Sequence, residues 1–512
     1  MHCLRPFATA SLLAALFCPL AAAQDLTVDT AGAGALIDGA LHHAEVMQNL
    51  EYLTDVIGPR LTGSQGVRQA NNWTLQRFKE YGLEAHLEPW KFGGTWTRGP
   101  IEVRLTAPRA HDVIAASWAW APGTGGATRT GTVVRIDGTT PDSVAAARKR
   151  VKGAWVMLRS PSFVWNSDGP AMTPADSERQ QEFRRNFLTP SQNADSATRA
   201  RRQQFGNDLP YLLHRAGALG IVLDAGKEQG LLNMSGSPNR VLPLPQIVVT
   251  HEDYVLFDRL LQAGGVPRLA VRTTNHMTRD SVTQWNTVAE IRGAEHPGEV
   301  VIVGAHLDSW DLGTGATDNG TGAMCVLETA RVIAQSGLKP KRTIRFILFT
   351  GEEQGLIGSH KYAEAHAAEA DSIQAVIVLD NGTGAITGQA LQGRGDLEAL
   401  WRGILAPVAS LGADSVVNRN KGGTDHLSFL PYGVPGFNFN QLERGYSHTH
   451  HSQSDTYDKA VAADLSQAAA VMAVSAYELA NLSGMIPRGE RSAPTPVQAV
   501  KVSDSVRVER GH

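Results

Sequence analysis

Apolar and polar positions divide the chain into three textures. From residue 283 onward, short wholly apolar runs alternate with segments of helical period. Strands are predicted over 299–304, 342–349 and 375–379, and helices over 321–335, 356–367, 401–411 and 461–480. In the first of these helices Val326, Leu327, Ala330, Ile333 and Ala334 share one face, and Gly337 supplies the stop. Strands apolar on both faces and separated by helices predict an α/β fold: a mostly parallel, mixed sheet with helices on both faces. Residues 32–92 predict helix, loop, helix and strand; 44–56 is amphipathic, Gly58-Pro59 breaks it, Ser64 caps the next helix, and 84–92 is extended. Between about 100 and 280 the texture is β-rich, with short pieces at 131–135, 153–158, 220–223 and 246–250 and one helix at 254–263.

These textures set the expected boundaries. One α/β unit, 24–105 and 283–485, is interrupted by a β-rich insertion at 106–282. Its segment 176–205, rich in Arg, Gln and Ser but carrying acidic residues too, reads as a solvated helical insertion rather than a nucleic-acid arm. Residues 1–23 read as a secretory signal: one early Arg5, an apolar run from Phe7 to Leu20, and an Ala21-Ala22-Ala23 exit before Gln24. The run is too short to span a bilayer, so no integral membrane segment is expected after cleavage, and the mature chain is expected to be secreted or periplasmic. The tail 486–512, Pro-rich and charged, is expected to be disordered or loosely docked.

Composition narrows the class. The 512 residues are 42% apolar and 19% charged with a net charge of −3, which is ordinary for a globular protein. That balance supplies no attraction for nucleic acid or an anionic membrane. Signal cleavage removes Cys3 and Cys18 and leaves Cys325, read as a core thiol, so no internal disulfide is available. His42, His43, His360 and His366 lie on predicted helices without ligand partners and read as surface residues.

Each apolar strand of the α/β half ends in an imidazole or a carboxylate. VVIVGA runs into His306 and Asp308, the next loop carries Asp318, TIRFILFT runs into Glu352-Glu353, and AVIVL into Asp380. In a parallel sheet those ends lie along one edge, where ligands bind. The later loop His448-Thr449-His450-His451 brings an imidazole to the same edge. Converging carboxylates repel unless a basic group or a metal joins them. No Lys or Arg adjoins Asp318, Glu353 or Asp380 in sequence, so metal is the stronger reading. Imidazole and carboxylate donors without thiolate suit zinc, with manganese or cobalt as alternatives, and two imidazoles with three carboxylates serve two ions if one carboxylate bridges. In the Glu352-Glu353 pair, side chains pointing different ways allow one to bind metal while its neighbour faces the reacting water.

His306-Leu307-Asp308-Ser309, Gly315-Ala316-Thr317-Asp318-Asn319, Gly351-Glu352-Glu353-Gln354-Gly355 and His451 before Asp455-Thr456 resemble the co-catalytic dizinc exopeptidases of metallopeptidase family M28. The resemblance spans about 44–484 and includes IGPRLTGS; GAWVML, RAGALGIVL and LPQIVVT in the insertion resemble a protease-associated domain. It implies a zinc-exopeptidase fold and two Zn2+ per chain. Asp318 would bridge, with His306 and Asp380 completing one site and Glu353 and His451 the other. Glu352 would be the general base and Asp308 the carboxylate that orients the His306 ring. His450 is the candidate to hydrogen-bond the developing oxyanion, with His448 competing. Asn319 stands where many relatives carry Asp; Asp425 and Lys421 are placed near the pocket, Lys421 facing a substrate carboxylate.

The expected substrate is a short peptide, with amino-end or carboxyl-end specificity open and pairing into a homodimer open. Two alternatives compete. A glutaminyl-cyclase-like acyltransferase on the same fold uses one zinc, against which intact His306 and Asp380 argue. A receptor-like pseudoenzyme predicts eroded ligands, and none is eroded.

Overall fold

The protein is described as a computed structural model covering residues 29–136, 140–161, 196–239 and 242–494. The signal reading, most of the 176–205 segment and the tail from 495 lie outside the described residues.

Eight strands form the first sheet: β1 (Glu84–Phe92), β2 (Val282–Ile291), β3 (His296–His306), β4 (Arg342–Phe349), β5 (Ile373–Val378), β6 (Ile386–Ala390), β7 (Ser415–Val417) and β8 (Gly436–Gln441), in the order β1-β2-β4-β3-β5-β8-β6-β7. The centre is parallel: β3 pairs with β4 and β5, and β5 with β8. The β1/β2, β2/β4 and β6/β8 pairs are antiparallel. The fold is therefore mixed α/β, and the central strands are apolar on both faces because helices cover both.

On one face lie α1 (Thr30–His42), α2 (Val46–Glu51), α3 (Gln65–Glu80), α4 (Thr321–Ser336) and α7 (Ala462–Asn481), which pack Leu36, Leu50, Met324 and Val471 against Val301, Ile344 and Ile377. Opposite, α5 (Ile357–Ala365) brings Tyr362 onto Ile302, Ile347 and Phe349. A smaller helix, α6 (Glu398–Leu405), packs Trp401 against Phe437 near the β8 edge. Helix α1 escapes the hydrophobic pattern because Gly32, Gly34 and Gly39 dilute it. At Gly32 a Cβ would come within 3.3 Å of the Tyr477 ring on α7, so the missing side chain permits the close crossing. Ser64 caps α3 as its sequence predicts, accepting from Val67 N.

A second eight-stranded sheet is built from 101–273, between β1 and β2 of the first. Its core of Arg129–Arg135, Ala154–Met157, Gly220–Asp224 and Gln246–Val249 is parallel. The chain crosses between the sheets twice, and the crossings pair as a ribbon, Trp96–Thr97 against His276–Met277. An aromatic cluster of Trp90, Phe92, Trp96, Trp120 and Trp310 fills the junction.

Two expectations are corrected. Residues 486–494 are docked: Ile486 is buried, and the Arg488 guanidinium donates to the carbonyls of Ile373 at 2.6 Å and Ala370 at 2.5 Å. His366 is no free surface residue, for its Nε2 sits 3.1 Å from Glu88 on β1 and its Nδ1 3.1 Å from Glu369.

Candidate metal centre

The register of the central strands lines up the expected donors. His306, the last residue of β3, lies opposite Phe349 at the end of β4, and Gly304 opposite Val378 at the end of β5. Glu352-Glu353 and Asp380 follow those ends directly. Asp318 enters from the turn that Gly315 starts in the left-handed region, ahead of α4. His450 and His451 follow the short helix Tyr446–Thr449. His451 itself has φ 57, a conformation costly for a residue with a Cβ. Its carbonyl is held there by Met234 N of the second-sheet unit at 2.9 Å.

His306 Nε2 lies 3.4 Å from Asp318 Oδ1 and 3.5 Å from Asp380 Oδ1. His451 Nε2 lies 3.1 Å from Glu353 Oε2 and 3.5 Å from Asp318 Oδ2. The structure thus brings all five expected ligands together around Asp318. Two donor groups able to hold a metal share that carboxylate: His306, Asp318 and Asp380, and Asp318, His450 and His451. His450 is the unexpected member, 3.9 Å from Asp318 Oδ2 with its ring stacked on His451 at 3.7 Å. Glu352 belongs to neither group, although its Oε2 is 3.9 Å from His306 Nε2.

The residues fit zinc. His306 Nδ1 is 3.0 Å from the Asp308 carbonyl, so that nitrogen carries the proton and Nε2 turns a lone pair towards two carboxylates. His306 Nε2, Asp318 Oδ2 and Glu353 Oε1 are buried without a hydrogen-bond partner. Lone pairs facing one another in a buried space repel, and a cation removes the conflict.

Asp308 corrects a sequence expectation. Its carboxylate does not hold the His306 ring; the distance to Nδ1 is 3.7 Å, and its backbone carbonyl does that work. The carboxylate instead accepts from Glu352 N at 3.3 Å, Glu353 N at 3.4 Å and Thr62 Oγ1 at 2.8 Å, fixing the turn that presents the two glutamates. Asp455 does the same for the Asp318 loop, accepting from Thr317 N at 2.6 Å and Asp318 N at 3.2 Å. Asn319 is fully buried, donating to Leu379 O at 2.8 Å and accepting from Gly322 N at 3.1 Å, a structural use that an amide serves well.

Arg60 is the residue that sequence reasoning missed. It is fully buried, and its guanidinium donates to the carbonyls of Leu307, Thr314 and Gly315 at 2.7 Å each and of Gly58 at 3.1 Å. Burial lowers its pKa to about 10, against Asp455, Asp308, Glu353 and Asp318, so it remains charged at neutral pH. A basic side chain therefore does share the site, contrary to the local sequence. All four bonds go to carbonyls, which leaves the carboxylates without an ion-pair partner from it. The one available signal was an Arg directly after the helix-breaking Gly58-Pro59.

Without metal the site is electrostatically tense. Burial pushes the Glu353 carboxyl well above its usual range, and Asp318 adds to it. Glu352 is raised by burial and by Asp380, Asp425 and Glu353, although His306 opposes them. Burial also lifts Asp425 and Asp455 to about 7. His450 moves down to about 4, chiefly by burial, and so is a neutral imidazole at neutral pH.

Comparison with known proteins agrees with this geometry. Residues 286–476 match the model of Peptidase family M28. Carboxypeptidase Q of Rattus norvegicus is 30% identical over 444 residues, spanning 86% of this chain and 86% of the relative. Carboxypeptidase Q of Homo sapiens is 29% identical over 445 residues with the same shares. Among solved structures, a Peptidase M28 precursor from Shewanella amazonensis superposes with a TM-score of 0.72 at 24% identity, covering 90% of this chain and 99% of that one. A zinc aminopeptidase from Bacillus subtilis gives 0.59 at 18% identity, covering 85% and 97%, and like the first is similar in fold.

Proposed function

The chain belongs to peptidase family M28, whose members are zinc exopeptidases, and from that premise we propose that it hydrolyses peptide bonds of short peptides or dipeptides with two zinc ions per chain. Asp318 would be shared between the ions, with His306 and Asp380 holding one and Glu353 and His451 the other. The observation that carries this reading is the shared carboxylate, with one imidazole on each of its oxygens at 3.4 and 3.5 Å.

Bound zinc supplies a Lewis acid for the scissile carbonyl and acidifies water. Glu352, with its Oε2 3.9 Å from His306 Nε2, accepts a proton from the attacking water and returns it to the leaving amine. Asp308 sets the glutamate turn through the two backbone N–H groups it accepts from. His450, neutral and the most exposed of the imidazoles here, donates an N–H to the developing oxyanion.

Residues 106–282 are read as a protease-associated-like insertion, and the signal at 1–23 as directing export to the periplasm or the medium. Among the described residues no helix is long and apolar enough to cross a membrane.

The test is to count zinc on the purified mature protein and to assay dipeptide hydrolysis before and after chelation. Near two zincs, with activity lost to chelator and restored by zinc, is the expected result. One zinc with cyclisation of an N-terminal glutamine would replace the reading by an acyltransferase. No metal and no turnover in folded protein would end the enzyme reading.

A further inference from the structure

Among the described residues the donor cluster is most exposed at its histidine pair. The His306 side chain is 1% exposed and Asp380 7%, whereas His451 is 23% and His450 44% exposed. A substrate therefore reaches the metals past His450. The chain that stands at this mouth comes from the other sheet, in the segment after its strand Gly220–Asp224. That segment is fastened to the histidine loop by Met234 N on His451 O at 2.9 Å, Leu232 N on Gln453 Oε1 at 2.8 Å and Gln453 Nε2 on Gly230 O at 2.9 Å.

Lys227 lies in the same segment. Its Nζ donates to Ser447 O at 2.5 Å, three residues before His450, and among the described residues its other two N–H groups have no partner. Burial lowers the ammonium to about 8 while Asp318 and Asp455 hold it up, so it is a cation at neutral pH. A cation held at Ser447 beside the more exposed end of the donor cluster sorts the two ends of a peptide: it repels an ammonium and attracts a carboxylate.

We infer that Lys227 recognises the free terminal carboxylate of a short peptide, which therefore binds with its amino end towards the acidic cluster and its carboxyl end at the mouth. This rests on the exopeptidase reading and deepens it by assigning orientation and a specificity residue outside the metal-binding unit. Lys421, the other cation nearby, is less suited: its Nζ is bound to Phe439 O at 2.5 Å, and it stands by Asp380 at the closed end.

The experiment uses the full mature, zinc-loaded chain and two substrates, a dipeptide with a free carboxylate and the same dipeptide as its carboxamide. Wild type is expected to prefer the free acid. Lys227→Met is expected to raise KM for the free acid roughly ten- to hundredfold, the loss of one charge-assisted contact, with kcat little changed and the amide unaffected. Lys227→Arg should keep part of the preference. The inference is overturned if wild type does not distinguish acid from amide, if Lys227→Met loses equally on both, or if the preference disappears in Lys421→Met instead. Hydrolysis of neither substrate by zinc-loaded wild type overturns the exopeptidase reading, and this inference with it.

Discussion

Glu352 and Arg60 sit within one site and were unequally visible beforehand. Glu352 follows an apolar strand beside a second glutamate, a local pattern that already separates a ligand from a base. Glu352→Gln preserves size and leaves the five donors in place, so zinc content should be unchanged while kcat falls on the order of a thousandfold, as expected for a general base. Metal analysis beside steady-state kinetics checks this, and loss of zinc together with activity would contradict it. Arg60 was illegible because its partners Leu307, Thr314 and Gly315 lie 247 to 255 positions away. Arg60→Met orphans the buried carbonyls of Leu307 and Gly315 and the part-buried ones of Gly58 and Thr314, and should lower the unfolding free energy by about 3 kcal/mol, read as a drop in urea midpoint. Lys should not rescue it, since a point charge cannot reach the carbonyls that the planar fork spans.

At the scale of elements, strand ends decide what meets what. Parallel pairing of β3 with β4 and β5 places His306, Glu352-Glu353 and Asp380 on one edge, which hydrophobic periodicity alone anticipates. The turns that aim those side chains were not anticipated, because they depend on carboxylates such as Asp308 and Asp455 accepting backbone N–H groups of distant loops. A comparable long-range tie joins the end of α5 to β1. The hydrogen bond to Glu88 is the main cause that holds the His366 imidazole above its usual range, and the ring stacks on Tyr362 at 4.2 Å. A folded-state pKa above the free value contributes stability that is complete below about pH 6.5 and fades as pH rises through the folded pKa. His366→Asn should therefore lower Tm measurably near about pH 6 and much less near about pH 9. An equal loss at both pH values would show that packing on Tyr362, and not the charge, is what matters.

Across the whole molecule the two sheets meet at the metal loop. Arg98, on the crossing ribbon side, holds Asp311 through Nε at 3.0 Å and Nη2 at 2.6 Å, and Trp310 next to it contacts the His451 ring edge-on at 5.8 Å. The site is thus assembled from chain segments on both sides of the second sheet and tied to that sheet's unit through Met234 N on His451 O. Zinc held as proposed would bind this assembly and not the unfolded chain, so its removal would withdraw stabilisation of about 4 kcal/mol if free zinc stands near a thousandfold above Kd. Chelation is expected to lower Tm by about 4 °C, since a chain this long shifts by only about 1 °C per kcal/mol, and added zinc to restore it. Glu352→Gln should show the same response, because it retains the donors; an indifferent Tm would contradict the buried-ion site.

Hydrophobic period and the chemistry of strand ends determined the α/β class, the alternation of elements and the convergence of His306, Glu352-Glu353 and Asp380, because those are local or follow from strands ending on one edge. Tertiary structure alone decided that Arg60 lies beneath the loop, that the Asp308 carboxylate accepts from the glutamate turn, and that His450 stacks on His451 3.9 Å from Asp318. It also decided that a lysine of the second sheet stands at the mouth. Each of these depends on groups brought together from distant parts of the chain, and a one-dimensional pattern carries no record of such distances.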